Sequence, residues 1–445
     1  MSSTLTEAPP ALDVGKYRRL VEDALPMRAS GRVSKVIGLA IEVEGLNASV
    51  GELCDIIPAK GQGRMPAEVV GFHDDRVVVM PYGELAGVQA GCEVIASGRL
   101  FDVPVGDALL GRVIDGLGQP LDVLGRIKAS GRSLLQNAPP HPLKRSRIET
   151  VFSTGVRAID GLLTCGKGQR MGIFAGSGVG KSTLMGMIAR YASADVSVIA
   201  LIGERGREVS EFIERDLGPE GLKRSVVVVS TSDQPALVRI KGAWVATAIA
   251  EYFRDQGKDV ALLMDSVTRF AMAQRELGLA IGEPPALRGY TPSVFALMPK
   301  IMERSGTSDR GAITAFYTVL VEADDMNEPI TDTARSVLDG HIVLSRDLAA
   351  ENHYPAIDVL GSVSRVMSSI ASQEHQTAAG MLRETLAAYR DARDLINIGA
   401  YVAGSNPQID RAIRQLPGIN AFLRQRPEEP TAFDDTVAGL KIVVS

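Results

Sequence analysis

Nine consecutive residues near the middle of the chain combine glycines with hydroxyl and lysine side chains. They are Ala175, Gly176, Ser177, Gly178, Val179, Gly180, Lys181, Ser182 and Thr183. Glycines let successive backbone N–H groups turn towards one anion, and the N-terminus of a following helix adds partial positive charge. A lysine here can reach the terminal phosphates of a nucleotide, and the serine hydroxyl can bind Mg²⁺. The run predicts a phosphate-binding loop.

The loop lies between an apolar stretch, residues 171–174, and a helical pattern, residues 184–191. Strand, loop and helix in this order are the setting that phosphate binding requires. The alternative, a glycine-rich turn before an ordinary helix, is disfavoured for that reason. One position departs from the strict pattern, since Ala175 stands where a glycine is usual. A methyl group is tolerated there if the backbone keeps a negative φ.

A second apolar stretch, residues 260–264, ends in the carboxylate Asp265. A buried strand that delivers an aspartate to the phosphate edge of a sheet supplies the other half of a nucleotide–Mg²⁺ site. Because Mg²⁺ loses its waters reluctantly, we expect Asp265 to act through a water molecule. The alternative is an aspartate that caps the following helix.

A charged cluster follows the apolar residues 198–202: Glu204, Arg205, Arg207 and Glu208. A carboxylate that faces a terminal phosphate can orient and polarise the attacking water. Glu204, which comes first after the strand and a glycine, is the candidate for this role. The alternative is a surface network of salt bridges that contributes little energy.

Two further residues could complete the site. Arg365 carries a planar, permanent charge that suits a transferring phosphoryl group, but the sequence does not decide whether it reaches its own site or a neighbour's. Tyr354 precedes a proline in an irregular stretch and could stack its ring on adenine. An isolated tyrosine is more often part of a core.

Strand and helix patterns alternate from residue 154 onwards, with strands expected at residues 169–174, 196–202, 225–231, 259–265 and 313–321. This alternation predicts an α/β fold with a parallel sheet and helices on both faces. Right-handed crossovers place the carboxyl ends of parallel strands along one edge. The phosphate-binding loop, Glu204 and Asp265 are therefore expected to converge.

The whole chain divides into five predicted segments. Residues 1–30 hold an amphipathic helix at 12–25, which is either a helix on its own domain or a docking helix for a partner. The next segments are a small β-barrel at 31–98, a connecting region at 99–150 rich in glycine and proline, the α/β domain at 151–371 and a helical C-terminal domain at 372–445.

Composition limits the classes of function. The chain has 445 residues, 48 Lys and Arg against 53 Asp and Glu, and a net charge of −5, which argues against nucleic acid as a partner. The barrel also lacks the aromatic and basic cluster of a single-strand binding face. Three dispersed cysteines, no apolar run long enough for a membrane span and no secretory leader predict a soluble cytoplasmic protein.

Several motifs in order resemble one family. Residues 175–183, 203–208, 265–270 and 354–365 together are similar to the catalytic subunits of rotary ATPases, which have a RecA-like nucleotide-binding domain. Further stretches resemble the type III export ATPases, in particular the flagellar branch: residues 274–285, 289–295, 325–329 and 338–346. The resemblance covers nearly all of the chain from about residue 30.

The resemblance implies a homohexameric ring that hydrolyses ATP at sites between neighbours. Lys181 and Ser182 would hold phosphate and Mg²⁺, and Glu204 would be the hydrolytic base. Glu208 and Asp265 would support the metal through water. Arg365 would be an arginine finger donated across the interface. Arg205 and Tyr354 would complete the nucleotide site, with the tyrosine against adenine.

The same resemblance implies partners and a location. The N-terminal helix would bind a regulator or stator subunit. The C-terminal helices would meet a central stalk protein, export chaperones and exported flagellar proteins. The ring would lie in the cytoplasm, peripheral to the export gate at the membrane face of the flagellar export apparatus.

Three alternatives stay open at this point. The chain could be the ATPase of a virulence injectisome, which differs from the flagellar enzyme only by degree. It could be a non-catalytic nucleotide-binding subunit, which the presence of both Glu204 and Arg365 opposes. It could also be an RNA-translocating ring ATPase, which the missing aromatic and basic face opposes.

Overall fold

The computed structural model describes residue 14 and residues 29–59, 63–321 and 325–445. The chain forms two compact units, one ending at Leu100 and the other comprising Phe101–Ser445. The amphipathic helix predicted at residues 12–25 lies outside the described residues, apart from residue 14. None of the described helices is both long enough and apolar enough to cross a bilayer.

The first unit is a closed β-barrel in which the strand order is β1-β2-β5-β4-β3-β6. Its strands are β1 (Ser30–Ile37), β2 (Ala40–Glu44), β3 (Glu52–Ile57), β4 (Met65–His73), β5 (Arg76–Pro81) and β6 (Glu93–Leu100). Alternating side chains fill the interior, among them Ile41, Ile56 and Val79, which are fully buried. The predicted barrel is confirmed.

The second unit is built on a twisted sheet that follows the order β19-β18-β12-β17-β15-β13-β14-β8. These strands are β8 (Arg112–Asp115), β12 (Arg170–Ala175), β13 (Val196–Ile202), β14 (Ser225–Ser230), β15 (Asp259–Asp265), β17 (Ala312–Leu320), β18 (Gly340–Leu344) and β19 (Ile357–Ser364). All pair in parallel except β19, which runs antiparallel to β18. The carboxyl ends of the parallel strands therefore share one edge, as predicted.

Five short strands complete the β-structure of this unit. They are β7 (Asp102–Val105), which pairs with β9 (Gly131–Leu134); β10 (Val151–Phe152), which pairs with β11 (Cys165–Gly166); and β16 (Gly306–Thr307), which pairs with β17.

Helices cover both faces of the sheet and form the C-terminal part of the chain. In order they are α1 (Arg157–Leu162), α2 (Lys181–Tyr191), α3 (Gly206–Glu211), α4 (Gly218–Lys223), α5 (Ala236–Asp255), α6 (Val267–Ala280), α7 (Pro292–Met302), α8 (Pro329–Val337), α9 (Arg346–Ala350), α10 (Met367–Ile370), α11 (Gln373–Asn397), α12 (Pro407–Leu423) and α13 (Phe433–Val444). A π-helical turn, Phe212–Leu217, joins α3 to α4.

Part of the predicted connecting region belongs to the central sheet. β8 pairs with β14, and Arg112 in β8 is bound by both carboxylate oxygens of Asp122, with nitrogen–oxygen distances of 2.8 and 2.6 Å. Sequence analysis also missed β18 and β19. The membership of both strands in the sheet depends on pairing with segments distant in sequence, which the residue pattern of one stretch does not show.

The last three helices pack against the central domain. Leu382 from α11, Ile419 from α12 and Leu440 from α13 are fully buried in the same hydrophobic core as Ile159 of α1. This packing, and not helix propensity alone, holds the C-terminal helices together. The predicted helical C-terminal domain is confirmed.

Candidate active site

The glycine-rich loop leaves the sheet where β12 ends at Ala175, between β18 and β17. Gly178 and Gly180 have φ of 80° and 88°, in the left-handed region that favours glycine, whereas Ala175 is not among the residues with positive φ. Val179 is buried and anchors the loop, and Ser177 and Gly178 are exposed at its tip. The substitution of alanine for the usual glycine is therefore compatible with this backbone.

Lys181 begins α2 and points to the ends of two other strands. Its Nζ contacts Asp265 Oδ1 at the end of β15 and lies 3.4 Å from Glu204 Oε1, just beyond β13. Burial lowers the pKa of Lys181, but the charges of Asp265 and Glu204 outweigh burial and raise it. Thr318 of β17 also donates a hydrogen bond of 2.7 Å to Asp265 Oδ1. The structure thus brings together three of the predicted residues.

Glu204 and Glu208 are adjacent carboxyl groups joined by a hydrogen bond. Burial and the charge of Asp265 raise the pKa of Glu204 to about 7, although Lys181 opposes the rise, and the bond to Glu208 adds to it. The same bond lowers the pKa of Glu208. Glu204 is therefore the weaker acid of the pair, and it is the one that titrates near neutral pH. Such a carboxyl titrates in the range where a general base operates.

Arg205 lies at the rim of this group. It caps α3, its side chain is 81% exposed, and its guanidinium is 3.6 Å from Glu208 Oε1. Arg207 is 87% exposed and pairs with Glu211, away from Lys181. The structure therefore places Arg205 beside the site and Arg207 in a surface ion pair.

The oxygen donors at this edge suit Mg²⁺. Ser182 is exposed in the first turn of α2, and Asp265, Glu204 and Glu208 supply carboxylates. Among the described residues no group of three or more His, Cys, Asp or Glu side chains forms a ready-made metal cage. This pattern fits Mg²⁺, which binds through few carboxylates together with waters and substrate phosphates.

The Tyr354 ring lies against the loop. Two of its ring carbons are 3.5 Å from the point where a Cβ on Gly180 would be, and the residue is 40% exposed. The backbone N–H of Gln425 donates a 2.9 Å hydrogen bond to the Tyr354 carbonyl, which fixes the segment. A half-exposed ring beside a phosphate-binding loop is available for stacking on a base.

The structure does not place Arg365 near Lys181, Glu204 and Asp265 of its own chain. It follows Ser364, which pairs with Gly340 at the opposite edge of the sheet from the loop. Ile357 pairs with Leu344 at the loop edge, and Ser364 pairs with Gly340 at the other end of the five-residue strand β18, so Ser364 lies roughly 13 Å from the loop edge at the rise of an extended strand. No arginine side chain covers that distance. Arg365 is exposed and cannot reach the Lys181 group of its own chain.

Sequence reasoning missed two cations near the loop. Arg269, in the first turn of α6, packs its stem against Gly203, and its buried Nε has no hydrogen-bond partner among the described residues. Arg346, the first residue of α9, lies over Gly176. The position of both arginines in the sequence could have indicated them. Each follows the end of a sheet strand by no more than four residues, as Glu204 does.

The parallel sheet, its loop and the carboxylates at neighbouring strand ends define a P-loop nucleotide-binding protein. Three family models match the chain: the beta-barrel domain of the ATP synthase alpha/beta family at residues 33–98, the nucleotide-binding domain of that family at 155–364, and the T3SS EscN ATPase C-terminal domain at 371–442. The chain belongs to the ATP synthase alpha/beta family, in the group of flagellum-specific and type III secretion system ATPases. It is an ATP-hydrolysing enzyme.

Known relatives match over nearly their full length. A flagellum-specific ATP synthase of Bacillus subtilis is 57% identical over 92% of this chain and 94% of its own. A type 3 secretion system ATPase of Xanthomonas euvesicatoria is 52% identical over 98% of both chains. The solved structure of the assembled ATPase EscN from the enteropathogenic E. coli type III secretion system has a TM-score of 0.89 and 48% identity, over 93% of this chain and all of that one.

Proposed function

We propose that this enzyme hydrolyses ATP to energise protein export through a flagellar type III secretion apparatus. The observation that carries the catalytic part is the convergence of Lys181, Glu204 and Asp265 at one edge of the sheet. The flagellar part is supported by relatives named flagellum-specific ATP synthase, such as the one from Bacillus subtilis.

In the proposed reaction, water attacks the terminal phosphorus of ATP as the bond to the ADP oxygen breaks. Glu204, once deprotonated, accepts a proton from the attacking water as general base. The loop N–H groups and the Lys181 ammonium bind the phosphates. Lys181 already faces two carboxylates, and a polyphosphate in the loop competes with them as its anionic partner. The Tyr354 ring stacks on adenine and Arg205 lies at the rim of the nucleotide.

The residues around the loop also fit Mg²⁺. The Ser182 hydroxyl would hold the ion directly, and Glu208 and Asp265 would hold it through water. When bound, the ion would neutralise negative charge on the phosphate oxygens. In this proposal the contact with Lys181 keeps the Asp265 side chain aimed at that position.

Arg365 is proposed to act on the site of a neighbouring copy, because it lies at the sheet edge opposite its own loop. A site completed by a neighbour requires an oligomer. EscN has been solved as an assembled ATPase and in complex with its central stalk EscO, the latter with a TM-score of 0.87 to this chain. We infer that this chain forms a homohexameric ring that encloses a central stalk protein.

Other partners belong to the same proposal. The segment before the barrel would bind a regulator or stator subunit, and the C-terminal helices would meet chaperones and exported flagellar proteins. The exposed apolar side chains Leu395, Ile398 and Val402, at the turn between α11 and α12, support a protein-binding role for these helices. The ring would lie in the cytoplasm, peripheral to the export gate.

The test of the shared site is the ATPase rate per chain as a function of protein concentration. A site completed by a neighbour gains specific activity as the chains assemble, so the rate per chain rises steeply and then levels off. A rate per chain that stays constant across the monomer-to-oligomer transition, followed in parallel by light scattering, contradicts the shared site.

The second candidate is export through a virulence injectisome. It is favoured by the 52% identity to a type 3 secretion system ATPase of Xanthomonas euvesicatoria. Expression of this chain in two strains, one lacking its flagellar ATPase and one lacking its injectisome ATPase, separates the candidates. Restored motility supports the flagellar proposal, and restored effector secretion without motility supports the alternative.

A further inference from the structure

Arg346 stands over the first glycine of the phosphate-binding loop. Its Nε and one terminal nitrogen are each 2.7 Å from the point where a Cβ on Gly176 would be. The residue begins α9 directly after β18, and the cap residue Ser345 fixes that start by accepting a 3.3 Å hydrogen bond from the Leu348 N–H. β18 is paired with β12 through Leu344 and Ala175, so Arg346 and the loop leave adjacent strand ends.

This cation lies on the far side of the loop from the carboxylates. β12 separates β18 from β17 and β15, and Asp265 and Lys181 meet on the β15 side. The loop is therefore held from two directions, by the Lys181 contact on one side and by the Arg346 guanidinium on the other.

Gly176 has no room for a side chain while the guanidinium is in this position, although its backbone would accept one. Its φ is not positive, unlike those of Gly178 and Gly180, so alanine is conformationally allowed there. The guanidinium is the end of a flexible side chain, and both residues line a cavity of about 230 Å³ into which it can move. A methyl group at position 176 would therefore displace Arg346 without disturbing the fold.

We propose that Arg346 is a positioning residue of the ATP site, a role that rests on the proposed function. Its guanidinium packs on the Gly176 backbone and holds the start of the loop in the conformation that receives phosphate. Without this contact, part of the binding free energy of ATP is used to order the loop, so the affinity for ATP falls. Because the contact acts on bound substrate and transition state alike, KM rises and kcat stays nearly constant.

The experiment is a double-mutant cycle on the full-length chain with Arg346→Ala, Gly176→Ala and the double variant. We expect each single variant to raise the Kd of ADP and the KM for ATP roughly threefold to tenfold. Since both changes disrupt the contact between Arg346 and Gly176, the double variant should resemble either single variant in Kd and KM. Effects that multiply in the double variant show independent roles and overturn the proposal, as does an unchanged Kd in Arg346→Ala.

The matched control is Arg393→Ala, an exposed arginine on α11, which should leave Kd and KM at the wild-type values. Thermal unfolding of each variant without nucleotide separates a local effect from loss of the fold. Failure of the wild-type chain to hydrolyse ATP contradicts the proposed function itself. Normal wild-type hydrolysis with an unaltered Arg346→Ala variant removes only the role of Arg346.

Discussion

Lys181 and Asp265 form a buried ion pair that ties the phosphate-binding loop to the end of β15. The Asp265 side chain is 4% exposed and that of Lys181 is 12% exposed. Thr318 and Glu204 complete the surroundings of the pair. Residues that the chain separates by 84 positions thus form one charged unit, beside which we propose that the nucleotide binds.

Lys181→Ala should abolish ATP binding, because the loop loses the ammonium that faces the phosphates. It should also destabilise the fold by about 1–3 kcal/mol, since Asp265 is left buried without its cationic partner. Isothermal titration with ATP and denaturant unfolding measure the two effects. Lys223→Ala is the control, since Lys223 is 71% exposed and pairs with an exposed Glu220. If the Lys181→Ala variant keeps the wild-type affinity for ATP, the assignment of this loop as the phosphate-binding loop is wrong.

The folded chain should lose stability as pH rises through the titration of Glu204. The pKa of Glu204 is about 7 in the folded chain, against an ordinary value of 4.5. Between these values the folded state holds a proton that the unfolded state has released, so stability falls with rising pH. Glu204→Gln lacks this titration. We therefore expect the unfolding free energy of Glu204→Gln, relative to that of the wild-type chain, to increase by about 1–3 kcal/mol between about pH 5 and 8.

Urea unfolding at a series of pH values, without nucleotide, measures this difference. Glu220→Gln serves as the control, because Glu220 is 82% exposed and remote from Asp265. A stability difference between Glu204→Gln and wild type that does not vary with pH contradicts the raised pKa. The same variant should lose hydrolysis while still binding ATP.

Arg365→Ala should bind ATP normally and hydrolyse it about 10³–10⁵ times more slowly, the usual loss when an arginine finger is removed. Because Arg365 lies far from its own loop, the defect should be complemented in mixed assemblies. A mixture of Arg365→Ala and Lys181→Ala chains contains sites with an intact lysine from one chain and an intact arginine from the other. Activity of the mixture well above that of either variant is expected, and its absence argues for separate sites.

Tyr354→Ala should raise the KM for ATP roughly twofold to tenfold, because the ring that lies against Gly180 no longer stacks on the base. Tyr354→Phe keeps the ring and should leave KM near the wild-type value. Steady-state kinetics with ATP provide the comparison. An equal rise in KM for both variants would assign the effect to the hydroxyl and not to stacking.

Much of the site was predictable because local sequence dictates it. The glycines at positions 178 and 180 adopt the left-handed conformations that the loop requires, and Asp265 ends its strand as expected. The fold class followed from the alternation of apolar strands and helices. Arg346 was missed because β18 is only five residues long, and a short strand is recognisable mainly through its partners. The domain limits proposed from sequence stay a prediction.

The sequence by itself determined the phosphate-binding loop, the carboxylates at the strand ends and the family, because these depend on residue types at short spacing. Only the tertiary structure decided which charged side chains share the site. Strand order brings Lys181, Glu204, Asp265 and Tyr354 to one edge, and the antiparallel course of β19 sends Arg365 to the other. Strand direction depends on pairing between distant segments, and the sequence of a single strand does not specify it.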